Sequence, residues 1–158
     1  MDNRLIQFAI IDPHHLTGDF LHQLQHLLNL GAFWAQGRSI DDLAIALKNS
    51  EPIVAVWDKH QLIGHARAIS DGVYRAILWD VVVHPDYQGR GLGRKLVQTV
   101  LSHPKLARVE RIYLTTTHQQ EFYQRIGFVV NPSQTMVLLN QSAQSTTPLR
   151  VCEEITQH

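Results

Sequence analysis

Hydrophobic positions change period several times along this 158-residue chain. Arg4–Ile11 (RLIQFAII) reads as a first strand. Leu16, Phe20, Leu21, Leu24, Leu27 and Leu28 then recur at helical spacing, with Gly31 as a stop. Two starts fit this helix. Asp12-Pro13 has the form of an N-cap followed by Pro at the first helical position, whereas Gly18 weakens the opening turn and points to Thr17. Ser39-Ile40-Asp41-Asp42 resembles a capping box, and Ile40, Leu43, Ala44 and Leu47 share one face of the helix it opens. From Ile53 the period shortens. Ile53–Trp57, the polar turn Asp58–Gln61 and Leu62–Ile69 predict a hairpin. Asp71-Gly72 is a second turn signal, and Tyr74–Val83 a long strand that runs into His84-Pro85. Leu92, Leu96, Val97, Val100 and Leu101 return to helical spacing, and Pro104 lies just beyond. Arg111–Thr115 reads as a strand, Gln119–Arg125 as a short helix stopped by Gly127, and Phe128–Val130 and Met136–Leu139 as closing strands. The order β-α-α-β-β-β-α-β-α-β-β predicts a mixed sheet with helices on its faces. Residues 141–158 are Ser/Thr/Gln-rich at their start and read as a C-terminal tail.

Composition narrows the class. A chain of this length fits one domain and buries enough surface to need no staple. Fourteen basic residues balance fourteen acidic ones, which argues against a whole-molecule polyanion binder such as a nucleic-acid protein. The single cysteine, Cys152, excludes an internal disulfide framework and a Cys-based zinc cluster. His22 and His26 stand one helical turn apart, but no Glu lies between them in the metalloprotease manner and no third ligand is evident, so no metal is expected. No run of about 18 apolar residues exists to span a membrane. The N-terminus lacks the long apolar core of a signal peptide, so a cytoplasmic protein, monomer or homodimer, is expected.

The chemistry concentrates in Trp79–Arg94 (WDVVVHPDYQGRGLGR), where an apolar strand meets a Gly-rich turn that opens an amphipathic helix. The first amides of a helix have no intrahelical partner, and the macrodipole adds roughly half a positive charge there. Gly89, Gly91 and Gly93 let an anion approach the backbone, and Arg90 and Arg94 can add charge-assisted contacts. This is a phosphate or pyrophosphate site in form. It lacks the Gly-Lys-Ser/Thr of a P-loop, and it lacks the early βαβ unit of a dinucleotide fold. Glycines that serve only the shape of the turn are the plain alternative.

Val83-His84-Pro85-Asp86-Tyr87-Gln88-Gly89-Arg90-Gly91-Leu92-Gly93 resembles the acetyl-CoA-binding motif of the GNAT N-acetyltransferase superfamily, Arg/Gln-x-x-Gly-x-Gly/Ala after a strand ending in Val-x-Pro. Gln88, Gly91 and Gly93 fill its fixed positions. Phe122-Tyr123-Gln124-Arg125-Ile126-Gly127-Phe128 resembles the family's Tyr-x-x-x-Gly-Phe helix end. The resemblance covers about residues 4–140, and the WDVVV strand is most similar to a cyanobacterial and plastid subgroup with serotonin-acetylating and protein-acetylating members. It implies a single α/β acetyltransferase domain over residues 1–140. Its sheet would have about seven mostly antiparallel strands, helices on both faces and a central splay between two parallel strands.

The same resemblance implies acetyl-CoA as co-substrate, a primary amine as acceptor (small molecule, protein lysine or N-terminus), and direct transfer in a ternary complex. Val81, Val82 and Val83 would bind the pantetheine through their backbone, with the Val82 amide polarising the thioester. Residues Gln88–Arg94, Leu92 included, would hold the diphosphate. Tyr123 is implied as general acid, its ordinary pKa near ~10 being matched to a departing thiolate; packing on Phe122 and Phe128 is its structural alternative. Asp80 stands in an apolar strand, where an unpaired carboxylate is costly. It reads either as the base or amine-orienting group, or as the partner of Arg67 or Arg75. Strict alternation places it on the face of Leu78 and Val82, opposite Trp79. Thr116, where many relatives carry Asn or Asp, is expected at the cofactor, with His118 as a weaker candidate base. That departure (TTTHQQ) leaves the acceptor open. Phe33, Trp34 and Trp79 are the expected acceptor-site residues, with core packing as the alternative. A non-catalytic acyl-CoA-binding or sensing module and a nucleotide-binding protein are the other function classes.

Overall fold

The computed structural model describes residues 5–140, and the expected tail 141–158 with Cys152 lies outside them. Two compact units divide the chain, Met1–Leu114 and Thr115–His158. The first holds a five-stranded sheet in the order β1 (Ile6–Ile11), β2 (Ile53–Asp58), β3 (Gln61–Ser70), β4 (Arg75–Val83), β5 (Arg111–Tyr113). Neighbours pair antiparallel except β4 with β5, which run parallel.

Helix α1 (Gly18–Gly31) starts where Thr17 Oγ1 accepts from the Phe20 amide at 3.2 Å. The Asp12-Pro13 start is not used. Asp12 instead closes a local turn, its Oδ1 accepting from the His14 amide at 2.8 Å and its carbonyl from His15 at 3.1 Å. Helix α2 (Ile40–Lys48) is capped as its sequence predicts, with Ser39 Oγ accepting from the Asp42 amide at 3.1 Å. Phe20, Leu21, Leu24, Leu27 and Leu28 of α1 and Leu43 and Leu47 of α2 form one apolar cluster with Ile53, Ala55, Leu62 and Val82 of the sheet. His22 and His26 are exposed on the far side of α1. Helix α3 (Leu92–Leu101) buries Leu92, Leu96, Val97 and Val100 and packs on β2, β3 and β4. The ammonium of its Lys95 lies 4.5 Å from the centroid of the Phe8 ring, and Phe8 pairs with Val56, so α3 covers the Val54 and Val56 face. Residues Leu62–Ala68 of β3 are buried throughout because both faces of the sheet are covered.

The second unit holds α4 (Gln120–Ile126), which ends at Gly127 with a φ of 123°. Seven strands were expected and five are present among the described residues. Residues 128–130 and 136–139 join no ladder, and Val129, Val130, Met136, Val137 and Leu138 are exposed. The residues' own signal for those two strands was side-chain propensity, which describes fit to a half-buried pleated surface rather than an intrinsic backbone preference.

Candidate active site

Strand β4 positions the site, and one irregularity governs it. Gly64 pairs with Val83 and His65 with Val82, but Arg67 pairs with Trp79, so Asp80 and Val81 together oppose Ala66. This is a one-residue bulge, and Asp80 sits at its start with φ +53°, a conformation uncommon outside glycine. The bulge breaks the expected alternation. Leu78 shares the face of its partner Ala68, whereas Val82 shares the face of His65, and residues three apart on β3 face opposite ways. Leu78 and Val82 therefore lie on opposite faces. Trp79, paired with Arg67, joins Val82 on the α1–α2 side.

The bulge also sets which backbone groups are available. The His84 amide donates to the Ile63 carbonyl at 2.7 Å, which fixes the hydrogen-bonding phase beyond the bulge. In that phase Val82 exchanges its backbone bonds with His65, and the groups of Val81 and Val83 point to the opposite edge. Gln88 Nε2 donates to the Val83 carbonyl from there, at 3.2 Å. That edge is open within the first unit, because β5 pairs only with Arg75, Ala76 and Ile77 before it ends at Tyr113. The expected donor, the Val82 amide, is thus directed into the sheet, and Val81 and Val83 present theirs to the gap. Close packing holds β4 here: a Cβ on Gly31, at the end of α1, would lie 2.9 Å from Val82 Cγ2.

After β4, a 3-10 turn (Pro85–Tyr87) and the glycine segment lead into α3. Gly89 and Gly91 have φ of +77° and +78°, and a Cβ at either would meet nothing within 4 Å. Gly91 is the N-cap of α3 and provides no side-chain cap, so the amides at the helix start have no capping partner there. Leu92 is buried as the first core anchor of the helix, Gly93 half-buried and Arg94 exposed. Arg90 stacks on the Tyr87 ring at 4.9 Å and donates to the Asp86 carbonyl at 3.3 Å. The Tyr87 hydroxyl donates to Asp58 Oδ2 at 2.5 Å, tying the turn to the end of β2; that bond raises the phenol's pKa. The turn has the shape, and the start of α3 the amides without a side-chain cap, that a diphosphate requires.

On the α1–α2 face of β4 lies a buried polar cluster, of which the sequence reading offered only the Asp80–Arg67 pair, as one of its alternatives. Asp80 Oδ2 accepts from Arg67 Nε and from Arg38 Nη1, each at 2.9 Å. Arg67 also donates to Ser50 Oγ at 3.1 Å, and His65 Nδ1 lies 3.0 Å from the Asp80 carbonyl. Burial alone would raise the Asp80 pKa, but Arg38 and Arg67 outweigh it and the net shift is downward. A carboxylate held below its ordinary range is a poor proton acceptor near neutral pH, so this environment does not suit Asp80 as the base. Arg75, the other expected partner, lies outside the cluster and pairs with Glu110 at 3.5 Å. His65 is wholly buried, which pushes its pKa down to about 4 and keeps it neutral. Its Nδ1–H donates to the Asp80 carbonyl, which anchors the bulge, and its buried Nε2 has no partner among the described residues.

The other expected acceptor residues lie after α1. Phe33 is exposed, and its ring meets Trp34 edge-on at 5.2 Å; Trp34 is half-buried against the apolar cluster. In the second unit, Tyr123 is half-buried between Phe122 and Phe128, at centroid distances of 4.9 and 5.8 Å. Burial pushes its pKa up to about 12. Thr116 Oγ1 accepts from the Gln119 amide at 3.1 Å just before α4, and His118 is exposed.

Residues 21–128 match the acetyltransferase (GNAT) family. An uncharacterized N-acetyltransferase ycf52 of Pyropia yezoensis is 35% identical over 117 residues, 71% of this chain and 66% of that one. GCN5-related N-acetyltransferase 2, chloroplastic, of Arabidopsis thaliana is 42% identical over 116 residues, 60% of this chain and 45% of that one. The chain thus spans just under two thirds of the first relative and under half of the second. Among solved structures, a Xanthomonas campestris protein ascribed to the same family superposes with a TM-score of 0.71 at 26% identity, covering 89% of this chain and 97% of that one.

Proposed function

The chain belongs to the GNAT acetyltransferase family, and on that premise we propose that it moves an acetyl group from acetyl-CoA to a primary amine, directly, in a ternary complex. The observation that carries this reading is the uncapped start of α3 at Gly91, reached through two left-handed glycines beside the open edge of β4. Amides of Gly89–Arg94 hold the diphosphate, with Arg90 and Arg94 as counter-charges. Val81 and Val83 pair with the pantetheine, and the Val81 amide, rather than that of Val82, stabilises the charge that develops on the thioester oxygen.

In the reaction the amine nitrogen bonds to the thioester carbon and the C–S bond breaks. Tyr123, protonated at all physiological pH values, gives its proton to the departing sulfur and regains one from solvent. The amine's own proton leaves to water. Asp80, kept ionised by its two arginines, orients the amine through charge instead of accepting its proton. Phe33, Trp34 and Trp79 wall the acceptor site. The reaction is placed in the cytoplasm, with no metal taking part.

A free-thiol release assay over arylalkylamines, polyamines, amino acids and lysine peptides tests the reading. Acetyl-CoA-dependent thiol release with at least one amine supports it. Binding of acetyl-CoA with no release on any acceptor class would leave a binding module instead.

A further inference from the structure

The buried cluster beside β4 carries an unequal charge. Two guanidiniums, Arg38 and Arg67, share one carboxylate, and both hydrogen bonds fall on Asp80 Oδ2. His65 contributes no charge while it is neutral, and Ser50 contributes a hydroxyl only. Asp41 and Asp42 stand in the first turn of α2, where they serve the helix N-terminus, and among the described residues Arg38 has its ion pair with Asp80 alone. One positive charge is left over. It falls on Arg38, because Arg67 is enclosed with 11% of its side chain exposed while Arg38 keeps 36%. Arg38 uses Nη1 for Asp80, and its guanidinium, with 36% of the side chain exposed, has N–H groups beyond the one that this bond takes. A half-buried guanidinium with spare donors next to a carboxylate with a spare oxygen is matched by a ligand of the reverse polarity.

We propose that the acceptor is an α-amino acid, or a compound with the same adjacent ammonium and carboxylate, its amino group at Asp80 Oδ1 and its carboxylate on Arg38. This rests on the acetyl-transfer reading above and narrows it. In a zwitterion of this kind the two charged groups share one carbon, so a single small molecule meets both Asp80 and Arg38, which are themselves in contact. Trp34 and Phe33, four and five residues before Arg38 on the same connection, flank the side chain.

The test compares matched pairs that differ only in the carboxylate: tryptophan with tryptamine, tyrosine with tyramine, lysine with cadaverine. Thiol release is read for the wild-type chain, Arg38→Gln and Arg38→Lys. The expected result is a preference of about tenfold or more in kcat/KM for the carboxylated member of at least one pair, the factor one charge-assisted hydrogen bond supplies. Arg38→Gln removes most of that preference by raising KM for the carboxylated member, and Arg38→Lys restores part of it. Equal or better turnover of the decarboxylated amines overturns the inference, and this wild-type result is independent of whether the variants fold. So does acetyl-CoA binding without turnover of any of the six. Failure to bind acetyl-CoA at all overturns the acetyl-transfer reading beneath it.

Discussion

Replacing Asp80 by Asn tests the polar cluster most sharply. Asn tolerates the left-handed backbone at this position better than most residues, so the bulge at φ +53° is not itself the target. The perturbation removes the carboxylate that Arg38 and Arg67 share, at 2.9 Å to each. Arg38 can turn to water, but Arg67, with 11% of its side chain exposed, keeps the Ser50 hydroxyl and the Asn oxygen as its partners among the described residues. Leaving one member of a buried pair uncompensated costs about 3–5 kcal/mol. The Asn oxygen still accepts one hydrogen bond, which places the loss near the low end, about 3 kcal/mol. That is a large share of the roughly 5–15 kcal/mol that holds a domain folded. Urea unfolding at pH 7 measures it as a drop in midpoint at constant slope. Removing the stranded cation as well, in the double variant with Arg67→Met, recovers part of the loss, so the two effects are clearly non-additive. A loss below about 1 kcal/mol for Asp80→Asn, or strict additivity in the cycle, would refute this account of the cluster.

His65 sets an acid limit. Its folded pKa of about 4 lies below the ordinary 6.5, so between those pH values the unfolded chain binds a proton that the folded one refuses. Its contribution makes stability fall as pH drops from about 6.5 to 4, by roughly 3 kcal/mol in full, and melts of the wild type against His65→Asn show the slope only in the wild type. Asp80 adds a loss of the same sign at lower pH, below its ordinary 3.8. Gly91→Val forces a side chain onto a φ of +78°, so calorimetric titration shows acetyl-CoA affinity lowered at least tenfold while the fold, by circular dichroism, persists. Tyr123→Phe lowers kcat about 10²–10⁴-fold with acetyl-CoA affinity kept, as stopped-flow and titration would record. Gly31→Ala drives a methyl to 2.9 Å from Val82 and costs about 1–3 kcal/mol in thermal unfolding, with β4 displaced from α1.

The four long strands and four helices were legible because each announces itself locally. Leu24, Leu28 and their neighbours give α1 its period, and Ser39 with Asp42 gives α2 its start. The glycine turn was legible for the same reason, since the residues that shape it are contiguous. What the sequence hid depends on partners. The bulge at Asp80 and Val81 leaves the apparent alternation of buried and half-buried residues along β4 intact, yet it reverses which face Leu78 occupies relative to Val82. It also decides whether Val82 or its neighbours turn their amides to the gap. Arg38 sits on a connection with no pattern of its own and reaches Asp80 from 42 residues away. His65 and Arg67 did leave a trace: two polar residues at strand spacing in an otherwise apolar strand, the same signal that singled out Asp80. The closing strands failed for the converse reason, because β-branched residues around Asn131-Pro132 promise a ladder that no neighbour completes among the described residues.

The central claim is that the backbone amides opening α3 hold the diphosphate of coenzyme A. Amide chemical shifts in a ¹⁵N-labelled chain, followed through titration with coenzyme A and separately with pantetheine, test it directly. The account predicts large, saturable shifts at Gly89, Gly91 and Gly93 with coenzyme A and little change there with pantetheine, which has no phosphate. Unmoved glycine amides at saturating coenzyme A, or equal shifts with both compounds, would contradict it.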